Sequence, residues 1–140
     1  YLLPETDRAI RNSILSKNPF AHPTVLYRAQ VAHDVGGYDE RVDARHIEDY
    51  EFWLRLGQKG TFANLPRYSV MLTARAGSLS ARNRVEQFKK SSSLISQYKK
   101  IYPRYMQGWV LSRVRLVFYK MFVFLPKIIQ RFFLLFYKKM

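Results

Sequence analysis

The chain has no cysteine among its 140 residues. Disulfides, zinc–thiolate sites and cysteine nucleophiles are excluded together, and the composition is compatible with a cytoplasmic location. There is no internal repeat and no low-complexity linker. No Gly-rich phosphate loop, zinc-ligand cluster or Ser/His/Asp signature occurs. An Asp-x-Asp metal motif is also missing, since Asp39 and Asp43 have the wrong spacing. Tyr1 to Glu5 lack the basic region and apolar run of a signal peptide. The most uneven deficit is acid. All 10 Asp and Glu lie in residues 1–86, whereas residues 87–140 hold 12 Lys and Arg and no acid. The net charge of +14 therefore resides almost wholly in the C-terminal part, so body and tail are expected to do different jobs.

What is present suits one domain with a core. Apolar residues make up 48% and aromatics 16% of the chain, which argues against disorder. A short helix is expected from Thr6 to Lys17, capped by Thr6 or Asp7, with Ile10, Ile14 and Leu15 on one face. Asn18-Pro19 ends it. His22 to Tyr27 is β-rich and reads as a buried strand. Ala29 to Asp34 reads as a short helix that stops at Gly36-Gly37. Glu48 to Lys59 reads as a helix with Glu48, Asp49 and Glu51 in its first turn, as the helix dipole prefers, and Gly60 as its C-cap. Strands are expected at Thr61–Asn64 and Tyr68–Ala74. Further helices are expected at Ser80–Tyr102, Gln107–Leu125 and Lys127–Lys138, broken at Pro103 and Pro126. The sum is α/β, with too few strands for a complete sheet.

An ordered trio carries the chemistry. Asn18-Pro19-Phe20-Ala21-His22-Pro23-Thr24-Val25 is followed by Gly36-Gly37-Tyr38-Asp39-Glu40 and then by Glu48-Asp49-Tyr50-Glu51-Phe52-Trp53-Leu54-Arg55-Leu56. In order, spacing and residue type this resembles the second half of family 2 (GT-A type) glycosyltransferases, over roughly Ile10 to Ala81. The resemblance implies the C-terminal part of a GT-A (Rossmann-like) nucleotide-sugar transferase domain. Residues 1–102 would form its acceptor-side half and 103–140 a basic, amphipathic helical tail. It implies inverting transfer of a sugar from a nucleotide-sugar donor to a saccharide or lipid-linked acceptor. Such a reaction needs a carboxylate to take the acceptor hydroxyl proton, and the Asp of the Glu-Asp pair, Asp49, is the candidate base. The plainer reading of Asp49 is N-terminal helix decoration.

Around Asp49 the resemblance places Glu48 as a supporting or acceptor-binding group and His22 at the floor of the site. A core histidine holding a strand end is the equal alternative for His22. Tyr38 and Asp39 would line the acceptor site, with Asp39 also suited to stabilising a turn. Trp53 reads as core. Gly77, Ser78 and Ser80 match a later family element, but Arg75 stands where the family carries His. Arg cannot ordinarily ligate a metal, so contact with the donor diphosphate and a solvated strand end remain open for Arg75. The family's divalent metal (Mg or Mn) is expected, with its ligand motif absent from this chain. That absence leads to the expectation of a fragment lacking the donor-binding half. The alternative is a non-catalytic membrane-associating or interaction fragment.

The tail, residues 109–140, is dense in Phe and Tyr, and its longest uncharged runs are about six residues. A spanning helix needs about 20 apolar residues, so an in-plane anchor on a membrane surface is expected. Packing on the body or a second subunit, and single-strand nucleic-acid binding, are the rivals. The last is disfavoured because the aromatics cluster with aliphatics. The expected location is cytoplasmic, peripheral on the inner face of the membrane.

Overall fold

The computed structural model describes residues 3–41, 44–68, 70, 71, 73 and 83–124. Among the described residues the regular structure is five α-helices and one short 3-10 turn: α1 (Asp7–Ser13), the turn His22–Thr24, α2 (Ala29–Asp34), α3 (Glu48–Leu56), α4 (Arg84–Gln97) and α5 (Tyr105–Phe124). Thr6 caps α1 as its sequence predicts, its hydroxyl accepting from the Ala9 N–H at 3.3 Å.

Helix α3 is the centre of the molecule. Tyr50, Glu51, Phe52, Trp53, Leu54 and Leu56 are all buried, so apolar contact surrounds it instead of following one stripe. Tyr50 and Leu54 join Ile14, Leu15, Ile47, Leu94, Ile95, Tyr98 and Tyr102 in one cluster. Phe52, Trp53 and Leu56 form a second with Val31, Ala32 and Val35 of the α2 region. Polar side chains fasten the loops to this helix. The Tyr50 hydroxyl donates to Ile14 O at 2.6 Å and that of Tyr102 to Leu54 O at 2.8 Å. Arg11 donates to the carbonyls of Gly57 and Gly60 at 2.8 and 2.7 Å. The helix stops at Leu56 with Gly57 as its cap, three residues short of the expected end at Lys59.

The expected α/β architecture is overturned: the described residues contain no strand and no sheet. His22–Tyr27 does not form a buried strand. Pro23 fixes φ and removes an N–H, and Thr24 closes a turn by donating its N–H and hydroxyl to Ala21 O at 2.9 and 2.8 Å. The chain then runs extended past Leu26, which is 96% exposed. Thr61–Asn64 is fixed by scattered bonds, not by a ladder: the Asn64 N–H donates to Glu5 O at 3.0 Å, the Phe62 N–H to Asp7 Oδ1 at 2.8 Å, and the Asn64 amide to Pro4 O and Pro19 O at 2.7 and 3.1 Å. The described residues of 68–74 (68, 70, 71 and 73) are not strand either, and the rest of that expected strand lies outside the described residues. β-branched and aromatic residues favour strands only where a neighbouring strand supplies hydrogen bonds. The described residues therefore do not form the Rossmann-like arrangement.

Helix α5 lies against α4. Its contact side is small: Gly108 and Ser112 are buried, together with Leu116. A Cβ on Gly108 would sit 2.6 Å from Leu15 O, so only glycine permits this approach. The hydroxyls of Ser112 and Ser92 meet at 3.3 Å. The expected helix at 127–138 lies outside the described residues.

Candidate functional site

The Glu-Asp pair opens α3, at the side where unpaired helical N–H groups collect. Ile47, the residue before the helix, offers no side-chain cap. Upstream, His46 adopts a left-handed φ of 74°, uncommon for a residue with a Cβ. Gln87 of α4 holds this corner by donating to His46 O at 3.1 Å. The bend turns Glu48 and Asp49 toward a cavity of about 1090 Å³.

Four of the expected site residues meet at this cavity: His22, Tyr38, Glu48 and Asp49 all line it. His22 is exposed, not a core histidine, and its ring lies 6.1 Å from that of Tyr38 and 5.9 Å from that of Trp53. Trp53 is 2% exposed, in the core as its sequence predicts. Tyr38 arrives from the Gly36-Gly37 turn, whose φ values of 85° and 67° require glycine. Burial pushes the Tyr38 hydroxyl up, reinforced by Tyr27 and by the carboxylates of Asp49 and Glu48. Tyr38 therefore stays a neutral hydrogen-bond donor beside the acid pair.

Asp49 is held by Asn18, which the sequence marked as a helix stop and the start of the first motif segment but not as a site residue. The Asn18 amide donates to Asp49 Oδ2 at 3.2 Å, while Asn18 Oδ1 accepts from the Phe20 N–H at 3.2 Å. Because a backbone N–H can only donate, the second bond fixes which end of the amide faces Asp49. Asn18 thus ties the Asn-Pro segment to the Glu-Asp segment, which are 31 positions apart.

The tail also reaches the site. Ser112, Arg115 and Phe118 of α5 line the same cavity, with Lys17, His46 and Gln87. The Arg115 guanidinium donates to Ser16 O, which pins α5 to the end of the α1 turn. Nothing in residue type alone singled these side chains out.

Asp39 points elsewhere. It borders a second cavity of about 480 Å³, together with Gly36, Tyr38, Arg41, Glu51 and Arg55. Its carboxylate accepts from the Arg41 side chain at 2.7 Å and from the Arg41 N–H at 3.0 Å. Those bonds hold its pKa down to about 2. The turn-stabilising reading of Asp39 fits this geometry. Arg55 of α3 braces the same loop. It donates to Val35 O, to Gly37 O at 2.7 Å and to both Glu51 oxygens at 2.7 and 2.6 Å. Arg75 lies outside the described residues.

Among the described residues no three His, Cys, Asp or Glu side chains converge as metal ligands. The described residues do not fit a complete metal site.

No protein-family profile matches the chain, and no solved structure does. The chain is similar to the amylovoran biosynthesis glycosyltransferase AmsE of Erwinia amylovora. The two are 36% identical over 77 residues, which is 54% of this chain and 27% of that protein. The chain thus aligns with about a quarter of this relative's length, and the similarity supports a glycosyltransferase relationship.

Proposed function

We propose that this chain supplies the acceptor side of an inverting, nucleotide-sugar-dependent glycosyltransferase of family 2. The observation that carries the reading is the Asn18–Asp49 hydrogen bond, which joins two of the three motif segments at a cavity that His22 and Tyr38 also line. Asp49 takes the proton of an acceptor hydroxyl as that oxygen attacks the anomeric carbon. The bond from that carbon to the nucleoside diphosphate breaks, and the diphosphate leaves. A carboxylate positioned at hydrogen-bond range suits this step. Glu48, exposed beside it, and the Tyr38 hydroxyl orient the acceptor, and His22 lines the floor. In this reading the donor site, the Mg or Mn ion and its ligands belong to a part of the protein beyond this chain. Residues 1–102 are the acceptor-side half and 103–140 the basic tail. The donor is a nucleotide sugar, the acceptor a saccharide or lipid-linked saccharide, and the setting the inner face of the membrane.

The test is transfer by the complete protein carrying Asp49→Asn. Turnover falls at least about 10³-fold with the circular dichroism unchanged. Wild-type-like turnover rejects Asp49 as base. Asn18→Ala serves as the companion variant. It lowers kcat by about ten-fold, the value of one charge-assisted hydrogen bond, with little change in KM. An unchanged kcat would show that Asn18 serves only the fold.

A further inference from the structure

Helix α5 presents three different sides. Gly108, Ser112 and Leu116 are buried toward α4 and Leu15. Ser112, Arg115 and Phe118 line the cavity that holds Asp49. Opposite the buried side, Met106, Val110, Val114, Val117, Met121 and Phe124 repeat at helical spacing with exposures between 45% and 88%. Twenty residues of helix extend about 30 Å, so the stripe runs the length of a small domain. An apolar surface this long and continuous marks a contact with another body.

We propose that this stripe is a docking surface for an anionic lipid bilayer, and that docking sets the mouth of the Asp49 cavity at the lipid boundary. Charge decides the occupant. Arg113 and Lys120 lie two helical turns apart along one edge of the stripe, and residues 87–140 contain no acid. A second copy would bring two such basic segments together, which like-charge repulsion opposes. Nucleic acid would find aliphatic side chains where it needs stacking faces. An anionic bilayer satisfies both features: the apolar stripe enters the acyl boundary and the flanking cations meet the headgroups. The contact lies in the membrane plane, because no helix among the described residues is long and apolar enough to cross a membrane. Phe118, 54% exposed, stands where the stripe meets the cavity. The bilayer contact stands independently of the transferase reading, and only its consequence for the cavity rests on that reading.

The experiment is cosedimentation of the full chain with phosphatidylcholine vesicles, with and without phosphatidylglycerol. Binding to the anionic vesicles is expected, weakening by roughly five-fold for each basic residue removed. The variant Val114→Glu with Met121→Glu, both at exposed positions, lowers partitioning at least roughly ten-fold with circular dichroism unchanged. A Phe118→Trp probe shifts its emission to the blue on the same vesicles. Partitioning unaltered by the glutamates would overturn the proposal. So would a dimer that the glutamates dissolve while vesicle binding stays the same. Asp49→Asn leaves vesicle binding intact, so failure of the docking surface and failure of the transferase reading are told apart.

Discussion

Helices α3 and α5 are both rich in aromatic and aliphatic residues, yet they are used in opposite ways. The nine residues of α3 include six buried ones, a glutamate among them. Among the described side chains of the 20-residue α5, a glycine, a serine and a leucine are buried, and a stripe of larger side chains lies outside. Apolar content by itself therefore does not locate a core. Helix α3 is surrounded because the α1 turn, α2, α4 and the Tyr98–Tyr102 turn all converge on it. Helix α5 meets the body along a single side, where Gly108 and Ser112 allow close approach and Arg115, Leu116 and Tyr119 add contacts.

The comparison can be broken most directly by truncating one aliphatic side chain in each helix. Leu54→Ala in α3 is expected to destabilise by about 3–5 kcal/mol, because the cavity it leaves is walled on every side. Val114→Ala in α5 is expected to change stability by less than about 0.5 kcal/mol. Urea midpoints of the two variants check this, and equal losses would mean that α5 is as enclosed as α3.

A smaller effect separates two ion pairs of identical spacing. Glu51–Arg55 in α3 and Glu86–Lys90 in α4 are both four residues apart. Arg55 also holds the carbonyls of Val35 and Gly37, and its side chain is 21% exposed against 10% for Glu51. Arg55→Met removes the guanidinium donor from two carbonyls and leaves the buried Glu51 carboxylate with the Tyr98 hydroxyl at 3.5 Å. The expected cost is about 2–3 kcal/mol, below that of a fully enclosed pair because solvent reaches the guanidinium. Glu86→Gln is expected to leave the melting temperature nearly unchanged, since surface pairs contribute little. A large drop for Glu86→Gln would sink the distinction.

The smallest effect concerns acid. The Arg41 side chain and N–H hold Asp39 at about 2, below the 3.8 of a free aspartate. A depressed carboxylate adds stability that is complete above its unfolded value and is lost as pH falls through its folded one. The wild-type advantage over Asp39→Asn is therefore present at pH 5 and fades between about pH 4 and pH 2. It is modest, because the partner guanidinium is 81% exposed. Melting curves across that range would detect it, and a difference that persists at pH 2 would assign the stabilisation to another group.

Much of the site was legible in the residues. The Glu-Asp pair at a helix start, the glycine turn carrying Tyr38 and the His22 segment are brought to one cavity. Asn18 was not legible as a partner of Asp49. Beside Pro19 it signals a helix end, and nothing local says which side chain its amide will meet 31 positions later. Asp39 carried the same kind of signal as Tyr38, but Arg41 holds its carboxylate at the second cavity, away from Asp49. The strand readings failed for a related reason. His22–Tyr27 has β-forming residues, but a strand exists only when a second segment pairs with it, and the described residues of this chain offer none.

Local residue chemistry set the Thr6 cap, the left-handed Gly36-Gly37 turn and the acid-free basic tail, whereas α1 stops at Ser13 and α4 at Gln97, short of Asn18-Pro19 and Pro103. The first three follow from the residues' own stereochemistry or charge. Tertiary structure alone decided which carboxylate is held by which donor and which side of α5 is buried. It also decided whether extended segments become sheet. Those outcomes depend on contacts between distant segments, and such contacts are won by packing and hydrogen-bond geometry that no window of residues contains.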